Sequence, residues 1–596
     1  MRNDYGYFEE DQLGRVGDAR LWRRIILLGL PEWPGIVLAV LLSFLVVGCG
    51  LALPYLLRLV IDDFVVNTAL GQAERLAGIA RLAGLFLLVM AAGFIVNFCQ
   101  VLVLAWTGQK IMHRMRQMLF NHLLGLNMRF FNNNPGGKLV TRLTNDIQNM
   151  NEMFTSVIVT LFNDFINLTG ILAVLFWMNW RLALLMAALV PLVVGNTIWF
   201  SRLSREAFRA IRTHLARINA FLQESLAGIA IIQLFLREPE TEASFKKLDH
   251  EYYEKSLYQI KIFGMFMPLI ELLGAVAIGA IIWYGGVQIM AGAMTIGVLV
   301  AFLSYMRLFF QPLKELSQKY AIVQSALASA ERIFELQDSR ALLPAAANPQ
   351  RPAHCRGRIE FARVGFGYAP GQPVLKDFSL TIEPGEILAI VGATGSGKST
   401  VINLLERFYD PDQGRVLLDG VDLRDLDPEW LRSQIGLVMQ DVFVLSGTIR
   451  ENILLDSHLD DAGLQAILAR AQLQDFVARL PEGLDTKVGE GGRDLSAGER
   501  QLLAFARLLV RDCRVLILDE ATSSVDAESE MYIEQATRAS LAGRTSIIIA
   551  HRLSTVRRAD RILVMEKGEI IEQGSHAQLV AAHGQYYRLL ESGNGS

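Results

Sequence analysis

The chain predicts two fold classes in series: a membrane α-helical domain of six transmembrane helices with long cytoplasmic extensions, fused to an α/β domain built on a phosphate-binding loop. Three observations carry this reading. Long uncharged apolar runs occupy the part before Arg307, charged residues become dense after Arg356, and a glycine-rich stretch, Gly392 to Thr400, lies between two apolar runs. At 596 residues the chain is too long for one hydrophobic core. Its 52% hydrophobic content and positive mean hydropathy are high for a soluble protein.

Trp33 to Leu57 contains no charge and, at about 1.5 Å per residue, is long enough to cross a hydrocarbon core of about 30 Å. Leu21-Trp22-Arg23-Arg24-Ile25-Ile26 before it mixes tryptophan with arginine, as a helix lying at the membrane surface does. Further spans are expected at Leu82 to Gln109, at Phe154 to Trp180, which is broken only by Asp164, and at Leu182 to Ser201. Ile262 to Met306 carries one charge, Glu271, and is too long for a single crossing. Gly285-Gly286 and Gly292 predict a turn inside it, giving spans near Phe263 to Trp283 and Thr295 to Gln311.

Basic residues give the orientation. Arg20, Arg23 and Arg24 precede the first span, Lys110, Arg114 and Arg116 follow the second, and Arg202, Arg205, Arg209 and Arg212 follow the fourth. The N-terminus, the two long loops and everything after the sixth span are therefore expected in the cytoplasm. Arg202 to Lys261 repeats apolar residues at helical spacing (Leu203, Phe208, Ile211, Leu215, Ile218, Leu222), and so does the region of Met115, Leu119 and Leu123. Folded as paired helical arms, such a stretch projects about 45 Å from the membrane. Breaks are expected at the tips, Asn132-Asn133-Asn134-Pro135-Gly136-Gly137 and Arg237-Glu238-Pro239-Glu240, where a short helix can meet a cytoplasmic domain.

Asn97, Gln100, Asn163, Asp164, Asn167 and Glu271 are costly against lipid and are expected to face a bundle interior or a cavity. For Asp164 and Glu271 two readings stand, a substrate route and polar contact between helices. The net charge of −3 and the absence of a basic tract predict no nucleic-acid partner. Cys49, Cys99, Cys355 and Cys513 have neither metal-ligand spacing nor a disulfide framework, and Met1 to Gly17 is too polar for a cleaved secretory signal.

The expected organisation is an N-terminal segment with its surface helix at 1–32, the membrane domain at 33–336, a linker rich in proline and alanine at 337–357, and the α/β domain at 358–596. In the last, Ile359-Glu360-Phe361 through Val364, Phe366 and Tyr368 alternates as an antiparallel layer does. Tyr368 can stack on a base or simply pack in that layer.

Ile387 to Val391, then Gly392-Ala393-Thr394-Gly395-Ser396-Gly397-Lys398-Ser399-Thr400, then Val401 to Leu405 reads as strand, glycine loop and helix. Glycines let backbone N–H groups turn onto phosphates, and the helix start adds its positive dipole end. Lys398 supplies charge for the β- and γ-phosphates, and Ser399 a hydroxyl for Mg²⁺. Val515-Leu516-Ile517-Leu518 is a buried-strand run ending in Asp519 and Glu520. A parallel strand delivers these carboxylates to the sheet edge that also holds the glycine loop. Asp519 is then placed for Mg²⁺, and Glu520 for polarising the water that attacks the γ-phosphate.

Leu495-Ser496-Ala497-Gly498-Glu499, followed by Arg500-Gln501, resembles the signature loop of ATP-binding cassette proteins. Gln440 resembles that family's Q-loop, His551 its switch histidine, Ser524-Val525-Asp526 its D-loop, and Thr486 to Gly491 the loop that meets the membrane domain in exporters. Phe130-Phe131, Pro135, Gly137, Arg142 and Asp146 resemble the first coupling loop of multidrug exporters and the lipid A flippase.

The resemblance covers essentially the whole chain and implies a half-transporter of the exporter type in the plasma (inner) membrane. It would move hydrophobic or amphipathic substrates (drug, lipid or peptide), with ATP and Mg²⁺ as cofactors and membrane lipids around it. An ATP-gated channel or regulator of the same fold is the alternative. It further implies two cassettes facing head to tail, with Ser496 and Gly498 serving the partner's nucleotide. Gln440 would sense γ-phosphate and Mg²⁺, His551 would hold the γ-phosphate, and Tyr368 would stack on adenine. The usual signature is Leu-Ser-Gly-Gly-Gln. Ala497 puts a methyl at a tight turn and Glu499 a negative charge near phosphate, which predicts a weakened site and favours a heterodimer with a different half-transporter over a homodimer.

Overall fold

Lipid offers no hydrogen bonds to the backbone, so the apolar runs fold as long helices that satisfy their own N–H and C=O groups. The computed structural model describes residues 19–593 apart from 345, 347, 370, 456, 493, 521–526 and 551–555. The chain divides into two units, one comprising the chain up to Leu124 with Gly136–Ser339, the other Gly125–Pro135 with Arg340 onward.

In the first unit, α1 (Ala19–Gly29) is followed by α2 (Trp33–Leu59), a π-helical turn at Val60–Val65, and α3 (Gln72–Leu124). The tip helix α4 (Met128–Asn133) belongs to the second unit. The chain returns through α5 (Gly136–Thr141), α6 (Ile147–Glu152) and α7 (Ile158–Met178), then α8 (Trp180–Ala227), α9 (Ile229–Leu234), α10 (Glu238–Met290) and α11 (Ile296–Asp338). Among the described residues, four helical stretches are long and apolar enough to cross a membrane: Ala19–Val65, Gln72–Leu124, Gly136–Met178 and Glu238–Met290. A shorter apolar helix covers Ile296–Pro312. α8 and α10, of 48 and 53 residues, are continuous from apolar to charged sequence, so the expected arm is an extension of the helices. α9 lies at its tip.

Two details differ from expectation. Gly285 and Gly286 do not turn the chain but lie inside α10, where the missing side chain at Gly285 lets Leu299 and Met294 approach. The turn falls at Ala291 to Thr295, with Gly292 at φ +70°. The expected linker also starts late, because α11 continues through Asp338. At the other end of this bundle, Asn179 divides α7 from α8 by capping α8, its side chain accepting from the N–H groups of Arg181 and Leu182.

Of the polar residues in the apolar runs, Gln100 is buried and donates to Ser43 Oγ at 2.7 Å and to Asn163 Oδ1 at 3.4 Å. Lys319 Nζ on α11 donates to Asp164 Oδ2 on α7 at 2.6 Å. For Asp164 the structure therefore supplies contact between helices. Glu271 is exposed on the single chain.

The second unit carries two main sheets. An antiparallel layer has the order β2 (Leu375–Ile382), β1 (Ile359–Phe366), β4 (Gln413–Leu418), β5 (Val421–Asp422). The central sheet places β12 (Glu569–Gly574), β11 (Arg561–Glu566), β3 (Ile387–Val391), β10 (Thr545–Ala550), β9 (Val515–Glu520) and β6 (Ile435–Val438) side by side, parallel except for β12. β7 (Gly447–Thr448) pairs with β8 (Lys487–Val488). The helices that bear on the site are α12 (Lys398–Leu405), α13 (Pro428–Gln434), α14 (Ile449–Leu454), α15 (Asp461–Arg470), α16 (Gln474–Arg479) and α17 (Ala497–Arg511). Leu388, Ala389 and Ile390 are fully buried, as a central parallel strand requires.

Candidate functional site: the carboxyl edge of the central sheet

The parallel strands bring separate sequence segments to one edge. β3 runs into the glycine loop, β9 ends in Asp519 and Glu520, and β6 ends two residues before Gln440, which is exposed. In register, Ile549 faces Asp519 and Ala550 faces Glu520. The next residue along is His551. His551 and the Ser524-Val525-Asp526 segment lie outside the described residues.

The glycine loop has the geometry its sequence requires. Gly392, Gly395 and Gly397 have φ of +156°, +81° and +104°, which side chains rarely tolerate. A methyl at Gly392 would sit 2.3 Å from the Met565 carbonyl oxygen and 2.8 Å from Ser396 Oγ. Thr394 and Gly395 are exposed at the crest, while Ser396, Lys398 and Thr400 are buried and Ser399 faces outward at the start of α12. Lys398 Nζ donates to the carbonyls of Gly392 and Ala393 at 2.8 and 3.0 Å. Burial holds the Lys398 pKa below the ordinary lysine value, and the charge of Asp519 opposes that shift.

These residues fit a nucleotide triphosphate with a divalent cation. Ser396 Oγ is buried with no hydrogen-bond partner among the described residues, an arrangement that a further acceptor or donor in the loop would complete. The same edge gathers one ammonium, a helix start and the paired acids at the end of β9.

Tyr368 follows β1 and is 39% exposed. Its hydroxyl accepts from Asn403 Nδ2 at 2.9 Å and lies 3.3 Å from Thr400 Oγ1, both on α12. The segment after β1 and the helix that follows the phosphate loop are thereby tied together. Ser496 and Gly498 sit at the start of α17, and none of the described hydrogen bonds joins them to the glycine loop. Ser496 Oγ accepts from the Glu499 N–H at 3.2 Å, and Glu499 Oε2 accepts from the Ser496 N–H at 2.8 Å. The two bonds close a capping box at the start of α17. Ala497, the first residue of α17, is exposed. Its methyl faces outward on the single chain.

Sequence reasoning missed the frame around these groups. Arg507 on α17 donates to Asn452 Oδ1, to the Asn452 carbonyl and to the Phe443 carbonyl, each at 2.7 Å. Asn452 in turn bonds both backbone groups of Leu445, so the chain just after Gln440 is held from α14 and α17. A polar pair 55 residues apart leaves no periodic trace in sequence.

Comparison with known proteins decides the family. Residues 36–313 match the ABC transporter transmembrane region and residues 375–523 match the ABC transporter family proper. The chain is a member of the ABC transporter family. It is 38% identical to an ATP-dependent lipid A-core flippase of Thiobacillus denitrificans over 85% of this chain and 87% of the relative. A fatty acid ABC transporter ATP-binding/permease protein of Mycobacterium bovis is also 38% identical, over 88% of this chain and 83% of the relative. Among solved structures, a bacterial Atm1-family ABC exporter with ATP bound aligns with a TM-score of 0.78 at 28% identity, covering 94% of this chain and 99% of that one. This transporter is thus a multi-pass membrane protein whose cytoplasmic domain hydrolyses ATP in coupling to transport.

Proposed function

We propose that the transporter is a half-transporter that exports hydrophobic or amphipathic molecules of the acyl-lipid kind by alternating access, with six membrane crossings supplied by α2, α3, α7, α8, α10 and α11. The observation that carries this is the fusion, in one chain, of a glycine-loop ATP site with apolar helices that extend into long charged arms. The similarity to the lipid A-core flippase and the fatty acid transporter supports the substrate class. The domain plan read from sequence, with a linker between the membrane domain and 358–596, belongs to this proposal.

Within the ATP site, Lys398 and the N–H groups of Gly392 to Thr400 would bind the phosphates, and Tyr368 would stack on adenine. Ser399, Gln440 and Asp519 would hold Mg²⁺, whose chemistry is to neutralise charge on the phosphate oxygens. Glu520 would act as general base toward water, with His551 and Asp526 completing the site. Ser496 and Gly498 would face the nucleotide of a second subunit. The second subunit is either a different half-transporter, which the altered signature favours, or another copy of this chain. Membrane lipids are the surrounding solvent.

Mg-ATP hydrolysis by the chain purified alone in phospholipid discs tests this reading. Turnover that increases with an acyl-lipid substrate supports it, and no turnover from a folded, ATP-binding chain would show that a different second subunit is needed. Movement of a labelled lipid against its gradient in vesicles separates a pump from an ATP-gated channel, which only equalises.

A further inference from the structure

The loop between α3 and α5 reaches the adenine side of the ATP site through hydrogen bonds that none of the sequence motifs announces. Residues Gly125–Pro135 pack as part of the second unit. The Asn127 N–H donates to the Ala341 carbonyl at 2.8 Å, and Leu126 forms a β-bridge with Leu342. Arg129 Nη2 donates to the carbonyls of Gly367 and Tyr368 at 3.3 and 3.2 Å. In the preceding peptide, the Gly367 N–H donates to Asp412 Oδ2 at 2.9 Å. The backbone that presents Tyr368 is therefore gripped between α4 and the turn before β4.

A second connection runs through rings. Asn132 Nδ2 donates to Tyr409 Oη at 2.6 Å. The Tyr409 ring, only 7% exposed, meets Tyr368 edge to face at 5.2 Å and Phe366 at 5.5 Å. Tyr368 is in turn bonded to Asn403 and lies against Thr400 on α12. Loop, Tyr409, Tyr368 and phosphate-loop helix thus form one contiguous chain of packed and hydrogen-bonded groups.

We propose that Asn132, Arg129 and Tyr409 are positioning residues for Tyr368, and that through them the loop between α3 and α5 responds to occupancy of the adenine subsite independently of the γ-phosphate. This rests on the reading that Tyr368 holds adenine. The physical content is reciprocal linkage: if the loop fixes the ring for the base, the base fixes the loop by the same factor. Edge-to-face packing allows only a narrow range of ring angles, so a tilt of Tyr368 onto a base is transmitted to Tyr409 and to its bond with Asn132. A γ-phosphate sensor such as Gln440 distinguishes ATP from ADP, whereas this connection responds equally to both.

The test uses the full chain in phospholipid discs. Amide hydrogen exchange of residues 125–135 is followed with no nucleotide, with Mg-ADP and with a non-hydrolysable Mg-ATP analogue. In the natural chain both nucleotides are expected to slow exchange to a similar extent, by about three- to tenfold, the size of one hydrogen bond's worth of ordering. Tyr409→Phe keeps the ring and removes only the hydroxyl, and is expected to abolish most of that slowing. It should also raise KM for ATP by more than it lowers kcat. Asn132→Ala, at an exposed position, should reproduce both effects, and the double variant should be no worse than either alone.

Slowing confined to the ATP analogue, or equal slowing in Tyr409→Phe and the natural chain, would overturn the proposal. Tyr368→Ala serves as the control for the adenine reading. If it leaves ADP affinity unchanged, the adenine role fails and the linkage with it. If it weakens ADP while Tyr409→Phe and Asn132→Ala do nothing, the linkage alone fails.

Discussion

The two units of this transporter treat polarity in opposite ways. In the ATP-binding unit the apolar residues go inside, as Leu388, Ile390, Val515 and Ile547 do, all fully buried in the central sheet. In the membrane unit Phe94 and Trp177 are each 72% exposed on the single chain, while Ser43 and Gln100 are 0% and 2% exposed. The same side-chain chemistry thus gives opposite placements because the solvents differ: water rewards apolar burial, and lipid penalises unpaired polar groups. In consequence the first unit is specified by polar pairing between helices and close approach at small residues, the second by a hydrophobic core on which charged groups are arrayed.

The comparison can be broken at its chemical end first. Glu520→Gln is expected to leave nucleotide binding intact and cut hydrolysis by about 10² to 10⁴, the range for losing a general base. Phosphate release measured beside fluorescent-nucleotide binding checks this, and near-normal turnover would remove Glu520 from the role.

At the membrane end, Lys319→Ala would strand the Asp164 carboxylate among helices. With side chains only 11% and 22% exposed, the loss is expected to be about 3 to 5 kcal/mol. The double variant Lys319→Ala, Asp164→Asn should recover much of it. Thermal unfolding of the intact chain in lipid reads the difference, and equal losses would mean that the pair is not the source.

Within the ATP-binding unit Lys398, Glu406, Arg407 and Arg544 are buried against the rule that charges stay outside. Glu406, at the end of α12, is buried, and its Oε2 has no hydrogen-bond partner among the described residues. Burial pushes its pKa up to about 7, only partly countered by the Arg432 charge. The folded state therefore binds this proton more tightly than the unfolded state does. Glu406 contributes stability that is fully present below the unfolded value near 4.5 and lost as pH rises through about 7. Glu406→Gln should remove that decline, giving a gain on the order of 1 to 3 kcal/mol at pH 8 and little at pH 4. Melting curves of both chains at the two pH values test the sign. The smallest effect is expected at the signature loop. Glu499→Gln preserves the acceptor of the capping box and should change neither stability nor turnover, whereas Glu499→Ala should cost about 1 kcal/mol.

Much of the ATP site was legible in sequence because its parts are local. Gly392 to Thr400 must form the loop wherever the strand before it ends, since positive φ at Gly392, Gly395 and Gly397 suits no other residue as well. A buried strand ending in two acids likewise declares its own edge. The helical arms were legible from unbroken periodicity. By contrast Gly285-Gly286 suggested a turn but lies inside α10, with close packing at Gly285, because a glycine marks either. Glu499 forms half of a capping box with Ser496, a pairing that the Ser-x-x-Glu spacing carries. The links from Arg129 and Asn132 to Tyr368 and Tyr409 bridge more than 230 residues of sequence and carry no pattern at all.

The sequence by itself determined the two solvents, the course of the long helices, the phosphate loop and the acids that accompany it, since each follows from contiguous residues. Only the tertiary structure decided which polar groups meet: Lys319 with Asp164, Arg507 with Asn452, Asn132 with Tyr409. The physical reason is that periodicity and propensity act over neighbouring residues, whereas a hydrogen bond is selected by distance and direction between elements that the chain brings together only after it has packed.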